Sequence, residues 1–330
     1  MEFNNNLLEK LTAIYGPSGR EQKVREFISE EIKEYVDDIK IDALGNLIAH
    51  KHGTGKKIMF SGHMDQIGLL VTDIDEKGFV RITNVGGIPV IRILDQRVVF
   101  PSGAQGVVRC EKIDSPTKLK IDKLYVDLCV TSKEEAEKIT KIGDVCVSFS
   151  NYYDNENFVI ANCLDDRIGC YCMIEALKQN IDTENDLYFV FSVQEEVGCR
   201  GAKTAGYAVN PDYCFALDVT ATGDDLSGIK MAVKCGNGAA IKIKDNSILV
   251  PEDVIDIMSK TAADNEIKYQ YEVLEFGGTD SGAVHLTREG IKCGVISIPS
   301  RNIHSGNEIV NKYDVNECIK LAKALAEKKY

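Results

Sequence analysis

Tryptophan is absent from this chain of 330 residues, and long apolar runs are absent as well. No stretch approaches the roughly 18 uninterrupted apolar residues of a membrane-spanning helix. The first ten residues, MEFNNNLLEK, lack the basic start and the apolar core of a secretory signal peptide. The sequence therefore predicts a cytoplasmic globular protein with no membrane partner.

Paired cysteines and clustered basic residues are also missing. The eleven cysteines include no CxxC pair and fall mostly in apolar stretches such as CYCM at 170–173, so we interpret them as buried, reduced thiols. The formal net charge of −12 is spread along the chain, whereas nucleic-acid binding needs clustered Lys and Arg. These absences argue against a thiolate zinc site and against nucleic acid as a partner.

The apolar pattern changes along the chain and predicts its organisation. Apolar residues at helical spacing predict two helices near the start, the second opened by a capping box of Ser18 and Glu21. Strand-like segments follow, and from residue 69 to 158 short alternating segments predict a small β-rich unit. From residue 159 onward, buried strands alternate with helices, which predicts an α/β sheet covered on both faces. We therefore divide the chain into an α/β domain of residues 1–68 and 159–330 and an inserted, β-barrel-like domain of residues 69–158.

Five histidines are few for this length, and two of them follow strand-like runs. Acidic residues stand in the same position after other strands, and in α/β sheets ligands bind at the carboxyl ends of strands. The residues at predicted strand ends are His63 after KKIMFSG, Glu195 and Glu196 after DLYFVFSVQ, Asp218 after YCFAL, and His304 after CGVISIPSRNI. We expect these side chains to converge on one site.

Imidazoles and carboxylates without cysteine suit divalent ions such as zinc or cobalt. A carboxylate that bridges two such ions makes a site that polarises a carbonyl and activates water. Asp165, in the LDDR turn that opens a helix, is the candidate bridge, and Asp65 is placed to orient the ring of His63. Of the adjacent Glu195 and Glu196, one acid would hold metal and the other would carry protons, and sequence order alone does not decide which.

Each signal also has an ordinary structural interpretation when it is taken alone. The paired glutamates are compatible with a solvated surface pair, and Asp165 and Asp166 with a helix N-terminus. Asp218 is compatible with a turn and His304 with a loop. For the remaining histidines, the pattern indicates exposed positions on one strand face for His50 and His52, and core packing on a helix for His285.

Six segments carry a resemblance to a known family, and they occur in that family's order: SGHMDQIG, LDDRIG, VQEEVGCRGA, LDVT, FGGTDSG and IPSRNIHS. The chain resembles the co-catalytic metallopeptidases that include the tetrahedral, glutamyl and deblocking aminopeptidases, some of which are labelled endoglucanases. The resemblance implies a zinc-peptidase-like, three-layer αβα catalytic domain interrupted by a β-rich dimerisation domain. It also implies a homo-oligomer, from a dimer up to a tetrahedral dodecamer.

The resemblance further implies a role for each residue of the site. One of two divalent ions would be held by His63 and Asp218 and the other by Glu196 and His304, with Asp165 bridging, Asp65 orienting His63 and Glu195 activating water. The implied reaction removes N-terminal amino acids from short peptides. Three single residues depart from the family pattern without removing a ligand, and they bear on pocket shape: Gln66, Asn302 and Gly306. The stretch ATGDDLSG at 221–228 departs as well.

Three alternatives stay open at this point. A related two-metal amidohydrolase, such as a deacylase or carboxypeptidase, would keep the fold and the metals and cut another amide. An endoglucanase needs carboxylates flanking a sugar and usually aromatic platforms, and the chain has no tryptophan. A non-catalytic scaffold would have little use for the complete set of ligands and a general base.

Overall fold

The computed structural model describes residues 2–226 and 229–330. Ser227 and Gly228, the last two residues of the ATGDDLSG stretch, lie outside the described residues. The helices of the described chain are α1 Asn5–Ala13, α2 Gln22–Ile32, α3 Val90–Ile93, α4 Lys133–Glu137, α5 Leu164–Leu177, α6 Arg200–Val209, α7 Glu252–Asp264, α8 Asp280–Val284 and α9 Lys312–Glu327. Two short 3-10 turns lie at Pro116–Lys118 and Ile121–Lys123.

The strands fall into two sheets. They are β1 Asp38–Ile41, β2 Leu47–Lys51, β3 Lys57–His63, β4 Gly68–Ile74, β5 Val80–Val85, β6 Arg97–Val99, β7 Gln105–Cys110, β8 Leu124–Asp127, β9 Val145–Ser148, β10 Tyr153–Asp154, β11 Phe158–Ala161, β12 Asp186–Ser192, β13 Tyr213–Thr220, β14 Ala239–Lys244, β15 Tyr269–Val273, β16 Lys292–Arg301 and β17 Glu308–Asn311. The larger sheet has the order β1-β2-β12-β3-β13-β16-β17-β11-β10, with β14 and β15 attached beside β16. Its centre, β12-β3-β13-β16, is parallel.

Helices cover both faces of this central sheet. Helix α5 packs on β3 and β13, with α1, α2 and α9 beside it, and α6 and α8 pack on the same strands and on β12. Neighbouring residues of β3 show that these are opposite faces, because successive strand residues point in opposite directions. Gly62 lies against Met173 of α5, whereas the hydroxyl of Ser61 reaches Asp280 of α8. The three-layer αβα arrangement is the one predicted.

The second sheet is a closed barrel of the order β4-β5-β8-β7-β6-β9. It has its own apolar core, which includes Leu69, Val71 and Val126 and is separate from the core of the large sheet. In the sequence it stands between β3 and the β10–β11 hairpin of the large sheet. The small β-rich unit that the sequence predicts after β3 is therefore present, and it is a closed barrel.

The predicted capping box of Ser18 and Glu21 is wrong. Helix α2 begins at Gln22, and Glu21 is its N-cap without a side-chain capping hydrogen bond. The Ser18 hydroxyl instead donates to Asp65 Oδ2 at 2.6 Å, and Glu21 Oε1 accepts the backbone N–H of Gln194 at 3.1 Å. Ser18 thus contacts the loop after β3, and Glu21 joins its own turn, through the backbone N–H of Gly19 at 2.7 Å, to the loop after β12.

The interpretation of the remaining histidines is partly wrong. His52 is exposed, but the side chain of His50 is only 19% exposed, because its ring stacks on Tyr188 and its Nε2 lies 2.6 Å from Asp186 Oδ1. His285 directly follows α8 and is half-buried, with Nδ1 donating to the Ser281 carbonyl. Among the described residues, no helix is both long enough and apolar enough to cross a membrane.

Candidate metal centre

The acids and histidines predicted at strand ends lie at one edge of the large sheet. His63 is the last residue of β3, and in the parallel register it stands opposite Ser192, the last residue of β12. Ala216 of β13 pairs with Ser61 of β3, which brings Asp218 level with this edge two residues later. His304 follows the neighbouring strand β16. Parallel strands expose their carboxyl ends together, so residues far apart in the sequence meet here.

Asp165 lies between the two histidines. Its Oδ1 is 3.1 Å from His63 Nε2, and its Oδ2 is 3.2 Å from His304 Nε2. Burial raises the pKa of this carboxyl, but hydrogen bonds from His304 and His63 more than reverse the effect and hold it below its ordinary value. The pKa of His304 is lowered by burial and raised to about 12 by its contacts with Asp165 and Glu196. The aspartate is thus an anion shared by two imidazoles.

Two groups of possible ligand atoms meet at His63. One consists of His63, Asp165 and Glu196, and the other of His63, Asp166 and Asp218, and within each group the ligand atoms lie within 4.8 Å of one another. Glu196 also approaches the second histidine, with its Oε2 3.2 Å from His304 Nε2. Buried carboxylates at this density are costly unless cations or protons hold them. Nitrogen and oxygen donors without sulfur suit zinc or cobalt, so these residues fit a divalent metal centre.

Asp65 supports this centre chiefly through the backbone. The Nδ1 of His63 donates to the main-chain carbonyl of Asp65 at 3.0 Å, while the carboxylate Oδ1 lies 3.5 Å from the same nitrogen. The carboxylate itself accepts the backbone N–H groups of Glu195 at 2.9 Å and Glu196 at 3.3 Å. Asp65 therefore fixes the ring of His63 and the loop that carries both glutamates, which is more than its HxD spacing predicts.

Glu195 stands beside the metal ligands with one oxygen directed toward them. Its Oε2 is 3.9 Å from His63 Nε2, and its Oε1 accepts the thiol of Cys199 at 3.0 Å. Burial raises the pKa of Glu195 well above its ordinary value, and the negative charges of Asp218 and Glu196 add to this against the lowering effect of His63. A carboxyl with a raised pKa near a reacting centre is suited to accept and return a proton.

The sequence pattern missed Glu308, at the start of β17. One of its oxygens accepts the backbone N–H of Asp165 at 2.9 Å, and the other accepts the backbone N–H of His304 at 2.8 Å. Asp166, interpreted as a helix cap, accepts the backbone N–H of Gly169 in the first turn of α5 and that of His63 as well. Each of these buried acids fastens ligand-bearing backbones to one another. An isolated acid in NEIVN gives no signal of such a role.

A cavity of about 590 Å³ opens onto the centre. Asp165, Glu195, Glu196, Asp218 and His304 line it from the large sheet. Gly87, Pro89 and Arg92 line it from the turn and short helix that follow β5 of the barrel. A cavity of about 670 Å³ lies at the opposite, amino edge of the sheet and contains none of the predicted site residues. The cavity that the predicted site residues line is therefore the smaller one, at the carboxyl edge between the sheet and the barrel.

An αβα sheet with imidazoles and carboxylates gathered at its carboxyl edge defines the class of zinc-peptidase-like metallopeptidases. The sequence model of the M42 glutamyl aminopeptidase family matches residues 45–321 of this chain. The chain belongs to this family, and it is a metal-dependent aminopeptidase.

Individual relatives agree over nearly the whole length. A protein of Acetivibrio thermocellus, provisionally named an aminopeptidase, is 48% identical over 317 residues, which cover 96% of each chain. The structure of aminopeptidase APDkam598 from the archaeon Desulfurococcus kamchatkensis has a TM-score of 0.93 and 36% identity, covering 98% of this chain and 94% of that one. The TET1 peptidase of Pyrococcus horikoshii, whose structure is described as assembling into a tetrahedron or an octahedral shell, has a TM-score of 0.87 and 34% identity, covering 98% and 99%.

The label endoglucanase, also expected from the resemblance, occurs among the structural relatives. A Thermotoga maritima protein so named has a TM-score of 0.84 and 31% identity and covers 99% of this chain and 97% of its own. Aromatic platforms for a sugar are scarce here, because Phe276 is the only aromatic residue among the described residues that line the 590 Å³ cavity. The geometry of the site favours amide chemistry.

Proposed function

We propose that two divalent metal ions, zinc or cobalt, bind at the carboxyl edge of the sheet. His63 and Asp218 would hold one ion, Glu196 and His304 the other, and Asp165 would bridge them. The observation that carries this proposal is the carboxylate of Asp165, which directs one oxygen to each imidazole at 3.1 and 3.2 Å. When bound, such a pair supplies Lewis-acid polarisation of the scissile carbonyl and acidifies a water molecule.

The chain's own residues supply the proton transfers. Glu195 takes a proton from the attacking water and later returns it to the leaving amine. The carboxylate of Asp65, which accepts the backbone N–H of Glu195, keeps Glu195 beside His63 while this happens. Burial of Glu195 makes the proton exchange easier near neutral pH, because it brings the pKa of the carboxyl above its ordinary value.

The substrate is a short peptide with a free N-terminus. A positively charged α-ammonium group is attracted by the acidic residues around the centre, whereas an acetylated terminus loses this attraction. Apolar residues line much of the remaining cavity: Val219, Ala221, Ile229, Leu274, Phe276 and Ile303. Among the described residues, three cations line the cavity, and each already has a partner: Arg301 is paired with Asp224 at 2.6 Å, Lys242 is paired with Glu272 at 2.6 Å, and Arg92 donates to the Ile303 carbonyl. We therefore expect an aliphatic first residue to be preferred over Glu or Lys.

A metal-exchange experiment tests this function. The protein is stripped with a chelator, reloaded with zinc or cobalt, and assayed with leucyl, glutamyl, lysyl and N-acetyl-leucyl chromogenic amides. We expect activity to vanish on stripping, to return with metal, and to be highest for the leucyl substrate. Full activity after complete metal removal would overturn the proposal, and faster cleavage of the N-acetyl substrate would replace it with the amidohydrolase alternative.

We also propose that the protein is a homo-oligomer that dimerises through the inserted domain of residues 69–158. Two large aliphatic side chains of this region are exposed in the single chain, Ile91 at 69% and Ile142 at 65%, which favours a partner surface there. The assembly described for the TET1 relative supports the same view. Light scattering of the purified protein decides between a monomer, a dimer and a dodecamer, and an Ile142→Lys variant that keeps the wild-type mass would exclude Ile142 from the interface.

A further inference from the structure

A further group of possible ligand atoms, separate from the two groups at His63, lies on the side of Glu195 that faces Cys199. Glu195, Cys199 and Asp280 each contribute one atom, and these atoms lie within 4.8 Å of one another. The thiol of Cys199 donates to Glu195 Oε1 at 3.0 Å and approaches the carbonyl of Thr279 at 3.5 Å. Glu195 and Cys199 line the 590 Å³ cavity, so a solute in that cavity reaches this group directly.

An independent observation at Asp280 indicates that this group lacks a ligand. The side chain is buried, and both the Ser61 and the Ser192 hydroxyls donate to its Oδ2, at 2.5 and 2.6 Å. Its Oδ1 is buried as well and has no hydrogen-bond partner among the described residues. An unpaired, buried carboxylate oxygen is costly, and such atoms are rare in native proteins unless an ion or water serves them.

We propose that Glu195, Cys199 and Asp280 form a third, inhibitory metal site, selective for a thiophilic divalent cation such as zinc. One sulfur and two carboxylate oxygens make a softer donor set than that of the proposed catalytic pair, which contains no sulfur. Bonds of about 2.0–2.3 Å to zinc require the three atoms to draw together slightly. Glu195 and Cys199 are free to do so because both face the cavity.

Binding exchanges a proton for the cation. The S–H bond of Cys199 breaks, a sulfur–zinc bond forms, and the proton leaves to solvent through the cavity. Burial and the neighbouring carboxylates raise the pKa of this thiol above its ordinary range, so it stays protonated until a cation takes the proton's place. The inhibitory consequence rests on the proposed role of Glu195, because a carboxylate bound to zinc no longer accepts a proton from water.

Cobalt spectroscopy tests the site without reference to activity. The fully loaded protein is titrated with further Co²⁺, and absorption is followed in the near ultraviolet, where thiolate-to-cobalt charge transfer appears. We expect such a band, and one bound ion more per chain than in Cys199→Ala by metal analysis after dialysis. Cys199→Ser, which keeps a donor to Glu195 but removes the sulfur, should lack the band. Cys129→Ala, which removes an exposed thiol, should retain it.

Zinc inhibition provides the functional measurement. We expect excess Zn²⁺ to inhibit the wild type, and half-inhibition of Cys199→Ala to need at least about tenfold more zinc, since even the loss of a group that only supports a ligand costs roughly 10–100-fold in metal affinity. A charge-transfer band and a zinc sensitivity that are unchanged in Cys199→Ala would overturn the third site and leave the aminopeptidase proposal intact. Conversely, activity that survives complete metal removal would overturn the catalytic pair while the Cys199-dependent band persisted.

Discussion

At the scale of single residues, Glu195 combines a raised pKa with a position next to His63. If it carries protons without holding metal, Glu195→Gln should lower kcat by about 10²- to 10⁴-fold, because an amide does not accept the proton of water. Without excess metal, the content of the two proposed catalytic ions and the oligomer size should stay at wild-type values, because the backbone N–H of residue 195 still bonds Asp65. Steady-state kinetics and metal analysis on the same preparation check both expectations. Near-wild-type turnover would show that another group is the base.

Glu308 has a different role, because it touches the ligands only through their backbones. In Glu308→Gln one side-chain oxygen is replaced by an amide donor, which faces the N–H of either Asp165 or His304. We expect metal affinity to fall roughly 10–100-fold, as for other groups that support ligands, with activity recovered at high metal concentration. Competition with a chelating dye measures the affinity.

Glu317→Gln is the matched control for this change. Glu317 is also a buried acid that accepts a backbone N–H, from Lys268 at 2.6 Å, but it lies on α9 away from the centre. Its replacement should leave metal affinity unchanged. If both variants lost metal affinity equally, Glu308 would act by stabilising the fold as a whole and not by supporting the ligands.

Residues whose side chains face the site could be predicted from the sequence. Residues that hold those side chains or their backbones in place could not. In the sequence, His63, Glu195 and Asp218 each stand after a run of apolar residues, and that position carries the signal. In the structure, His63 is the last residue of β3 and Asp218 lies near the end of β13. Glu308 begins a short strand, and Asp280 begins the short helix α8 after a glycine-rich segment, so neither position distinguishes a buried acid from a surface one. Cys199 was interpreted as one more buried thiol because its contact with Glu195 depends on tertiary structure.

At the scale of elements, the turn after β5 connects the barrel to the metal centre. Gly86 has φ +84°, and a Cβ added there would lie 2.7 Å from Ile67 Cγ2 and 3.2 Å from Glu196 Cβ. We therefore expect Gly86→Ala to displace Glu196 and to lower both metal affinity and kcat/KM by at least about tenfold. Activity measured against metal concentration checks this.

Gly103→Ala separates backbone strain from the steric effect. Gly103 also has φ +84°, but a Cβ added there meets no atom within 4 Å. The free energy of unfolding of this variant should fall only by the roughly 1–2 kcal/mol that a left-handed conformation costs a non-glycine residue. Its activity should stay at the wild-type level. If both variants lost activity equally, the strained backbone alone would be responsible.

Elements with strong periodicity could be predicted from the sequence, and elements with mixed patterns could not. Strands β3, β12, β13 and β16 are nearly continuous apolar runs, as expected for strands buried on both faces. Strands β14 and β15 contain lysine, glutamine, glutamate and tyrosine among their apolar residues, and this mixed pattern does not predict a strand clearly. The capping box is absent because the Ser18 hydroxyl donates to Asp65 in a distant loop, while Glu21 accepts the backbone N–H groups of Gly19 and of the distant Gln194.

At the scale of the whole molecule, the centre depends on segments from all parts of the chain. The buried guanidinium of Arg167 shows how they are joined. It donates to the carbonyls of Leu11, at 2.6 Å, and Ile14, next to α1, and to that of Met64, directly after β3. A buried charge of this kind is tolerated because each donor meets a carbonyl oxygen. Helix α1 and the residues directly after it are thereby fixed to the strand end that carries His63.

The pH dependence of stability also belongs to this scale, and Asp314 makes a defined contribution to it. Its carboxylate accepts the backbone N–H groups of Gly236 and Gly238, both at 2.7 Å, and so joins α9 to the loop before β14. Burial raises the pKa of Asp314 to about 6, and the negative charges of Asp224 and Glu317 add to the rise against the lowering effect of these hydrogen bonds. Because the folded pKa lies above the unfolded one, this group favours the folded state fully below about pH 4, and the contribution is lost as pH rises through about 6.

We therefore expect the free energy of unfolding of the metal-loaded protein to include a term on the order of 3 kcal/mol that disappears between about pH 4 and pH 7. Asp314→Asn does not ionise and retains only one acceptor for the two glycine N–H groups. It should be less stable than the wild type near pH 4, and the difference should shrink as pH rises, because only the wild type then acquires a buried charge. Urea unfolding of both proteins at matched pH values measures this difference. A difference that stays constant from pH 4 to pH 7 would mean that Asp314 is already ionised throughout, and that its two hydrogen bonds outweigh the cost of burial.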